Sequence, residues 1–322
     1  MYLVDDVLAK DIAQESLREG FGRGLVAAAK DERIVAACAD LTDSTHMSSF
    51  AEAYPERFIQ VGIAEQNLVT VASGMAAMGK VPFVSSYAAF CPGRDWEQIR
   101  TTICLNDRPV KIIGSHAGLS VGPDGATHQM LEDIALMRVL PNMVVLAPCD
   151  SVEAEKATMA MAANVRPNYM RLAREATPVI TTKETPFEIG KAYVYREGTD
   201  ISILATGIMT YQALVAAEEL AQVGISAEVV HVPTIKPLDA ITILQSVQKT
   251  GHVVTAEEAQ IAGGLGGVVA ELLMEEYPVP MRRIGMRDHF GESGQPDELL
   301  KHFGVDAKHI AIAARSVLRR KA

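Results

Sequence analysis

The sequence predicts an α/β protein built from two α/β domains, the first around a largely parallel sheet. Three observations lead there. Short apolar runs alternate with longer stretches of helical period along the whole chain, the pattern of strands covered by crossover helices. The length of 322 residues accommodates two cores of ordinary size. Near the middle, Thr-Pro-Val-Ile-Thr-Thr-Lys-Glu-Thr-Pro over 177–186 carries two prolines and no periodicity, which reads as a linker. The expected domains are therefore 1–180 and 187–322.

Taken in order, apolar periodicity predicts a first helix over 12–29, and the short apolar run at 33–38 a strand. A second strand covers 58–62, followed by a helix rich in small residues over 64–78. Residues 81–86 read as a strand, 95–105 as a helix and 110–114 as a buried strand. A strand at 144–147, a helix from Ser151 and a strand at 169–172 complete the first series. After the linker come strand 201–205, helix 211–223, strand 227–232, helix 240–250 and strand 252–257. A glycine-led helix over 266–276 and a strand at 282–285 lead into a helical tail.

Composition narrows the function. Hydrophobic residues make up 48% and charged residues 22%, which describes a folded globular protein. A formal net charge of −10 argues against a nucleic-acid partner. Cys38, Cys91, Cys104 and Cys149 show neither metal-ligand nor redox spacing and read as reduced thiols of a cytoplasmic protein. The N-terminus carries acids where a signal peptide needs bases, and no apolar run reaches membrane-spanning length.

Chemistry has few places to sit. Three glycines and two histidines cluster between Ser115 and Gln129, after a buried strand, where open α/β sheets bind ligands; a solvated surface turn is the alternative. Glu65 opens a helix after a strand, where an acid also simply complements the helix dipole. Gly263-Gly264-Leu265-Gly266-Gly267 follows a strand but lacks dinucleotide-binding spacing, so close helix–strand packing is the better reading. There is no Walker loop, HExxH helix or GxSxG elbow.

Five blocks, in order, resemble the transketolase family: Ala39-Asp40-Leu41-Thr42; Gly62-Ile63-Ala64-Glu65-Gln66; Gly122-Pro123-Asp124-Gly125-Ala126-Thr127-His128-Gln129; Glu257-Glu258 with Gly263-Gly264-Leu265-Gly266; and Phe290-Gly291-Glu292-Ser293-Gly294. The resemblance runs from about Ser16 to the end. It implies a thiamine-diphosphate pyrimidine-binding domain followed by a transketolase-type C-terminal domain. The family's Gly-Asp-Gly motif, which with a later Asn holds the diphosphate and metal, does not occur here. The resemblance therefore implies a second polypeptide that supplies those parts and the ligands for Mg²⁺ or Ca²⁺, in an α2β2 assembly.

Residue by residue, Glu65 matches the glutamate that hydrogen-bonds N1′ of the aminopyrimidine and so promotes loss of the thiazolium C2 proton. Desolvation against the ring would favour its protonated form. Phe90 is the candidate to stack on the pyrimidine, with ordinary core packing as the alternative. His128 matches the histidine near the reacting hydroxyl of the sugar, and Asp124 the acid reading the neighbouring hydroxyl. His116 matches a histidine near the substrate phosphate, and Arg174 and Arg18 match phosphate-binding arginines, whose forked donors suit anionic oxygens. Asp40 and Ser44 resemble the cofactor and phosphate rim.

The implied activity is transfer of a two-carbon ketol unit between a ketose and an aldose, typically sugar phosphates. The same layout serves deoxyxylulose-phosphate synthases and the β-subunits of 2-oxo acid dehydrogenases, and a noncatalytic regulatory subunit would retain the fold. The intact Asp-Gly-Ala-Thr-His-Gln loop disfavours the dehydrogenase, and His116 disfavours the synthase. Joint presence of Glu65, Asp124, His128 and Arg174 disfavours the noncatalytic subunit.

Overall fold

The computed structural model describes residues 3–320. The chain enters through a short strand, β1 (Gln14–Ser16), that runs directly into α1 (Leu17–Ala28). Ser16 fixes the junction: its hydroxyl accepts from the Arg18 N–H while the Glu19 carboxylate accepts from the Ser16 N–H, a reciprocal cap. The helix predicted from residue 12 therefore begins at Leu17, and the residues before it join a sheet.

The first α/β series follows as β2 (Ile34–Cys38), α2 (Ser48–Ala53), β3 (Phe58–Gln60), α3 (Glu65–Ala77) and β4 (Val81–Tyr87). A single turn, α4 (Trp96–Gln98), continues as a π-helix over Ile99–Cys104. Then come β5 (Lys111–Ser115), a 3-10 stretch over Leu119–Asp124, α5 (Asp133–Arg138), β6 (Val144–Leu146), α6 (Ser151–Ala163), β7 (Asn168–Arg171) and β8 (Ala176–Pro178). The second series is β9 (Tyr193–Arg196), β10 (Ile201–Ala205), α7 (Met209–Ala221), β11 (Ala227–His231), β12 (Thr234–Lys236), α8 (Ala240–Thr250), β13 (Val253–Gln260), α9 (Leu265–Glu276) and β14 (Met281–Met286). Helices α10 (Pro296–His302) and α11 (Ala307–Leu318) close the chain.

The strands make two main sheets. Seven strands in the order β12-β6-β7-β5-β4-β2-β3 form the first, parallel except where β12 meets β6. Five in the order β14-β13-β10-β11-β9 form the second, parallel except for β9. Each is buried on both faces, as parallel sheets are. Leu68, Val69 and Ala72 of α3 pack with Ile99 and Ile103 on one face of the first sheet; Phe21 and Leu25 of α1 pack with Ala157 and Met161 of α6 on the other. Helices α1 and α6 approach closely because Gly20 faces the Ser151 carbonyl, which a Cβ there would meet at 1.9 Å.

Three further expectations need correction. The helix predicted over 95–105 has only one α-turn; Thr101 and Thr102 hydroxyls bond back to the carbonyls of Glu97 and Gln98 at 2.9 and 2.7 Å, competing with a regular ladder. The stretch 177–186 is not a loose linker. Its start lies in β8, antiparallel to β1, and the buried Asp150 carboxylate accepts from the backbone N–H groups of Ile180 and Thr181 at 2.8 and 2.6 Å. Finally β12, from the second half of the chain, completes the first sheet. Helices α2 and α5 and strands β9 and β12 were not foreseen from periodicity; all have six residues or fewer, too few to establish a period.

The halves are also tied by buried polar groups. Arg171 at the end of β7 pairs with Asp133 at 3.0 Å and donates to the Glu258 carbonyl at 2.7 Å. Tyr169 donates to the same Asp133 carboxylate at 2.8 Å. Elsewhere Glu153 of α6 meets His231 of β11 at 2.7 Å, both fully buried.

Candidate active site

Strands β4, β5 and β7 run parallel and side by side, so their C-terminal ends open on one edge. The chain delivers Tyr87, His116 and Arg174 there. Tyr87 stacks on His116 with ring centroids 3.8 Å apart and lies 5.9 Å from Phe90. His128 approaches Phe90 edge-on at 5.4 Å and Tyr87 at 6.2 Å. The Arg94 guanidinium lies over the Phe90 ring, 4.1 Å from its centroid, and its Nη1 is 3.3 Å from a Glu65 carboxylate oxygen. An unbroken line of side chains thus runs Glu65, Arg94, Phe90, His128, Tyr87, His116.

Glu65 is the first residue of α3 and only 5% exposed. Ala64 before it offers no side-chain cap, so the carboxylate stands at the positive end of the helix. Both features, a helix-start acid and a buried carboxylate facing a flat group, are present together.

The other end of the line is cationic. Arg18 donates to the carbonyls of Ser44 and Arg174 at 2.7 and 2.6 Å and to the Ser16 hydroxyl at 3.2 Å. Burial, then repulsion from Arg174, lowers its pKa. Arg174 holds the Val121 carbonyl at 2.8 Å, with Glu175 at 3.6 Å and Asp124 at 4.0 Å from its guanidinium. Ser44 thus enters through its carbonyl, and the Arg174–Glu175 contact expected of a plain surface charge is also present. Burial, reinforced by Arg18 and Arg174, pushes the His116 pKa down to about 3. The ring is therefore neutral at physiological pH, and Arg18 and Arg174 carry the positive charge beside it. Its Nδ1 shares a 2.8 Å hydrogen bond with the Ser115 hydroxyl.

Backbone strain gathers at the same edge. Asp40, His46 and His116 have φ of 60°, 58° and 54°, as do Asp107, Asn142 and Asp288 elsewhere with φ of 47°, 68° and 56°, a region that non-glycine residues enter rarely. Asp40 is the outlier in position: it is exposed, its N–H is held by the Gln60 side chain at 3.0 Å, and among the described residues no hydrogen bond or ion pair links it to the other candidates. Tyr87, Arg94 and His46 were missed from the sequence. Arg94 lay in view, four residues beyond Phe90 in a Pro-Gly turn, but only the folded turn brings it over the ring.

Family models for the transketolase pyrimidine-binding domain and the transketolase C-terminal domain match residues 15–179 and 190–310. The chain belongs to the transketolase family. A 6-deoxy-6-sulfo-D-fructose transketolase subunit from Clostridium sp. is 46% identical, the match covering 91% of each chain. An apulose-4-phosphate transketolase subunit from Phocaeicola vulgatus is 36% identical over 91% of this chain and 94% of that one. A solved split-gene transketolase, an inactive beta4 tetramer, superimposes with a TM-score of 0.90 at 44% identity, covering 95% of this chain and 99% of that chain. This chain is accordingly the pyrimidine-binding plus C-terminal half of a split transketolase, a transferase subunit that works with thiamine diphosphate and an N-terminal partner.

Transketolase blocks that lie far apart in sequence meet in the structure. The Gly122–Gln129 loop rests on the Phe290–Gly294 block: Gln129 donates to the Glu292 carbonyl at 2.9 Å and to those of Leu119 and Gly122. Gly125, at φ 72°, leaves only 2.5 Å between a would-be Cβ and the Ser293 hydroxyl, so a larger residue would have to push that hydroxyl aside and would be strained in this left-handed backbone. The C-terminal domain thereby holds the loop that presents Asp124 and His128. At the glycine-rich turn before α9 the N–H groups of Leu265 and Gly266 donate to the buried Glu257 carboxylate at 2.7 and 2.8 Å.

Proposed function

We propose that this transketolase subunit contributes one wall of a cofactor and substrate cleft completed by its partner. The observation that carries the reading is the line from Glu65 to His116, which sets a buried carboxylate and an aromatic ring at one end and two arginines near the other. A buried carboxylate beside Phe90 fits a flat, hydrogen-bonding pyrimidine. Thiamine diphosphate, when bound, supplies the nucleophilic carbon that ketol transfer requires. Glu65 would then hold the proton at N1′ while Phe90 packs the ring and Asp40 lines the rim. His128 and Asp124 would orient substrate hydroxyls. Mg²⁺ or Ca²⁺ would be bound by the partner, in an α2β2 assembly in the cytoplasm. The first and second domains would divide at 1–180 and 187–322, with β12 lent back across that division.

The substrate class proposed is a sugar with a terminal anion, phosphate or sulfonate, received by Arg174 and Arg18 with His116 and the Ser44 rim. Neutral His116 at this end favours reading the anion by fixed guanidinium charge. Relatives whose names include a sulfonated and a phosphorylated sugar accord with this. In the complex with its partner, Arg174→Ala should raise KM about ten- to a hundredfold for acceptors ending in phosphate or sulfonate, a charge-assisted contact being worth about 1.5–3 kcal/mol. Glycolaldehyde, which is neutral and short, should change little. Equal losses for charged and neutral acceptors in steady-state kinetics would assign Arg174 to holding the Val121 turn instead.

A further inference from the structure

We propose that Arg94 occupies, in the unliganded chain, the seat of the cofactor's aminopyrimidine ring, and that it must swing outward before the ring can enter. This rests on the reading of Glu65 and Phe90 as the pyrimidine site. Two contacts define that site, a face on Phe90 and a donor to Glu65, and Arg94 makes both. Its guanidinium lies 4.1 Å from the Phe90 centroid, and Nη1 points to both Glu65 oxygens at 3.3 and 3.5 Å. A guanidinium and an aminopyrimidine are alike where it matters: both are flat, delocalised and edged with N–H donors.

The rest of the geometry suits a side chain that moves. The Arg94 backbone is anchored, its N–H donating to the Phe90 carbonyl at 2.8 Å, so departure needs only rotation of the side chain. Among the described residues Glu65 is the one hydrogen-bond acceptor its guanidinium has. The side chain is 53% exposed, whereas Glu65 is 5% exposed, so solvent lies open to the arginine and the carboxylate is left behind for the ring. Exposed cation–π contacts and half-exposed ion pairs are individually weak, and a ring anchored elsewhere by its diphosphate can displace them.

The consequence is a coupling. A seat filled by the chain's own side chain lowers the apparent affinity for any ring by the fraction of time it stands open. Cofactor would then settle only where additional contacts, on the partner, outweigh Arg94.

The test uses the purified full chain without partner and two probes, 4-amino-2-methylpyrimidine and thiamine diphosphate with Mg²⁺, titrated by calorimetry and ligand-observed NMR. Arg94→Ala and Arg94→Ser should bind the pyrimidine about five- to thirtyfold more tightly than the wild type, the range expected for removing one exposed ion pair and one cation–π contact. Glu65→Gln should bind it more weakly. If both Arg94 variants bind equally or less tightly while Glu65→Gln still weakens binding, Arg94 is part of the seat rather than its occupant, and the proposal fails while the cofactor site stands. If Glu65→Gln binds as well as wild type, or no form binds the ring, the pyrimidine reading itself fails and takes the proposal with it.

Discussion

Glu65→Gln, assembled with the N-terminal partner, should lose about a hundredfold or more in turnover while the complex still forms. Removing a positioned acid–base group costs on that order. Glutamine keeps the length and can still meet Arg94, so the fold at the start of α3 is preserved. It cannot exchange a proton at the position where the carboxylate stands, and it abolishes the negative charge that pairs with Arg94 at 3.3 Å. The step can be isolated by following cofactor C2–H exchange by NMR in the assembled complex. Slow exchange with normal assembly is the expected result; exchange at the wild-type rate would leave Glu65 with only its role at the helix terminus.

A second large effect is expected directly beneath this site. Asp95 is fully buried and, among the described residues, no well-formed hydrogen bond reaches either carboxylate oxygen; only the Cys91 thiol and its own backbone N–H lie near enough to interact with it. Burial raises its pKa to about 7; Cys91 offsets part of this, and repulsion from Glu65 adds to it. An unfolded aspartate releases its proton near pH 4. Between about pH 4 and 7 the folded chain therefore holds a proton that the unfolded chain has lost, and stability falls as pH rises through that window before levelling off. Three pH units at about 1.4 kcal/mol each give a loss of about 4 kcal/mol. Asp95→Asn carries no such proton. Its stability relative to wild type should be similar near pH 4 and should improve steadily to pH 7, as read from denaturant unfolding at a series of pH values. Parallel profiles for the two proteins would mean that Asp95 is ionised in the fold.

Much of this was legible before the structure, for physical reasons that differ by element. Parallel strands buried on both faces show as nearly continuous apolar runs, so β2 (Ile-Val-Ala-Ala-Cys) and β10 (Ile-Ser-Ile-Leu-Ala) stand out in the text. Ser16 and Glu19 form a sequence-local cap that marks the start of α1, yet an apolar period extending to residue 12 pulled the expected helix too far back. Strand β12 could not be found locally, because three residues become a strand only by pairing with β6, far earlier in the chain. The firmness of 177–186 likewise depends on the remote Asp150.

The site divides in the same way. Glu65, Asp124, His116 and His128 sit in compact blocks and could be named from resemblance. What the text could not convey is their company. Tyr87 reaches His116 only because β4 and β5 end in register. Arg94 reaches Glu65 only because the turn after Phe90 folds back toward α3. The arginine forks also do structural work invisible in sequence, since Arg18 ties the Ser44 loop to Arg174 through two carbonyls.

This chain supplies half of an active centre. The most direct measurement is calorimetric titration of thiamine diphosphate with Mg²⁺ into the purified chain, alone and after mixing with a Gly-Asp-Gly-bearing partner chain, followed by a ketol-transfer assay on each sample. Weak binding and no turnover for the chain alone, with tight binding and turnover for the pair, is the result expected, because most cofactor affinity should come from metal–diphosphate contacts on the partner. Tight stoichiometric binding, or ketol transfer, by the chain alone would contradict it.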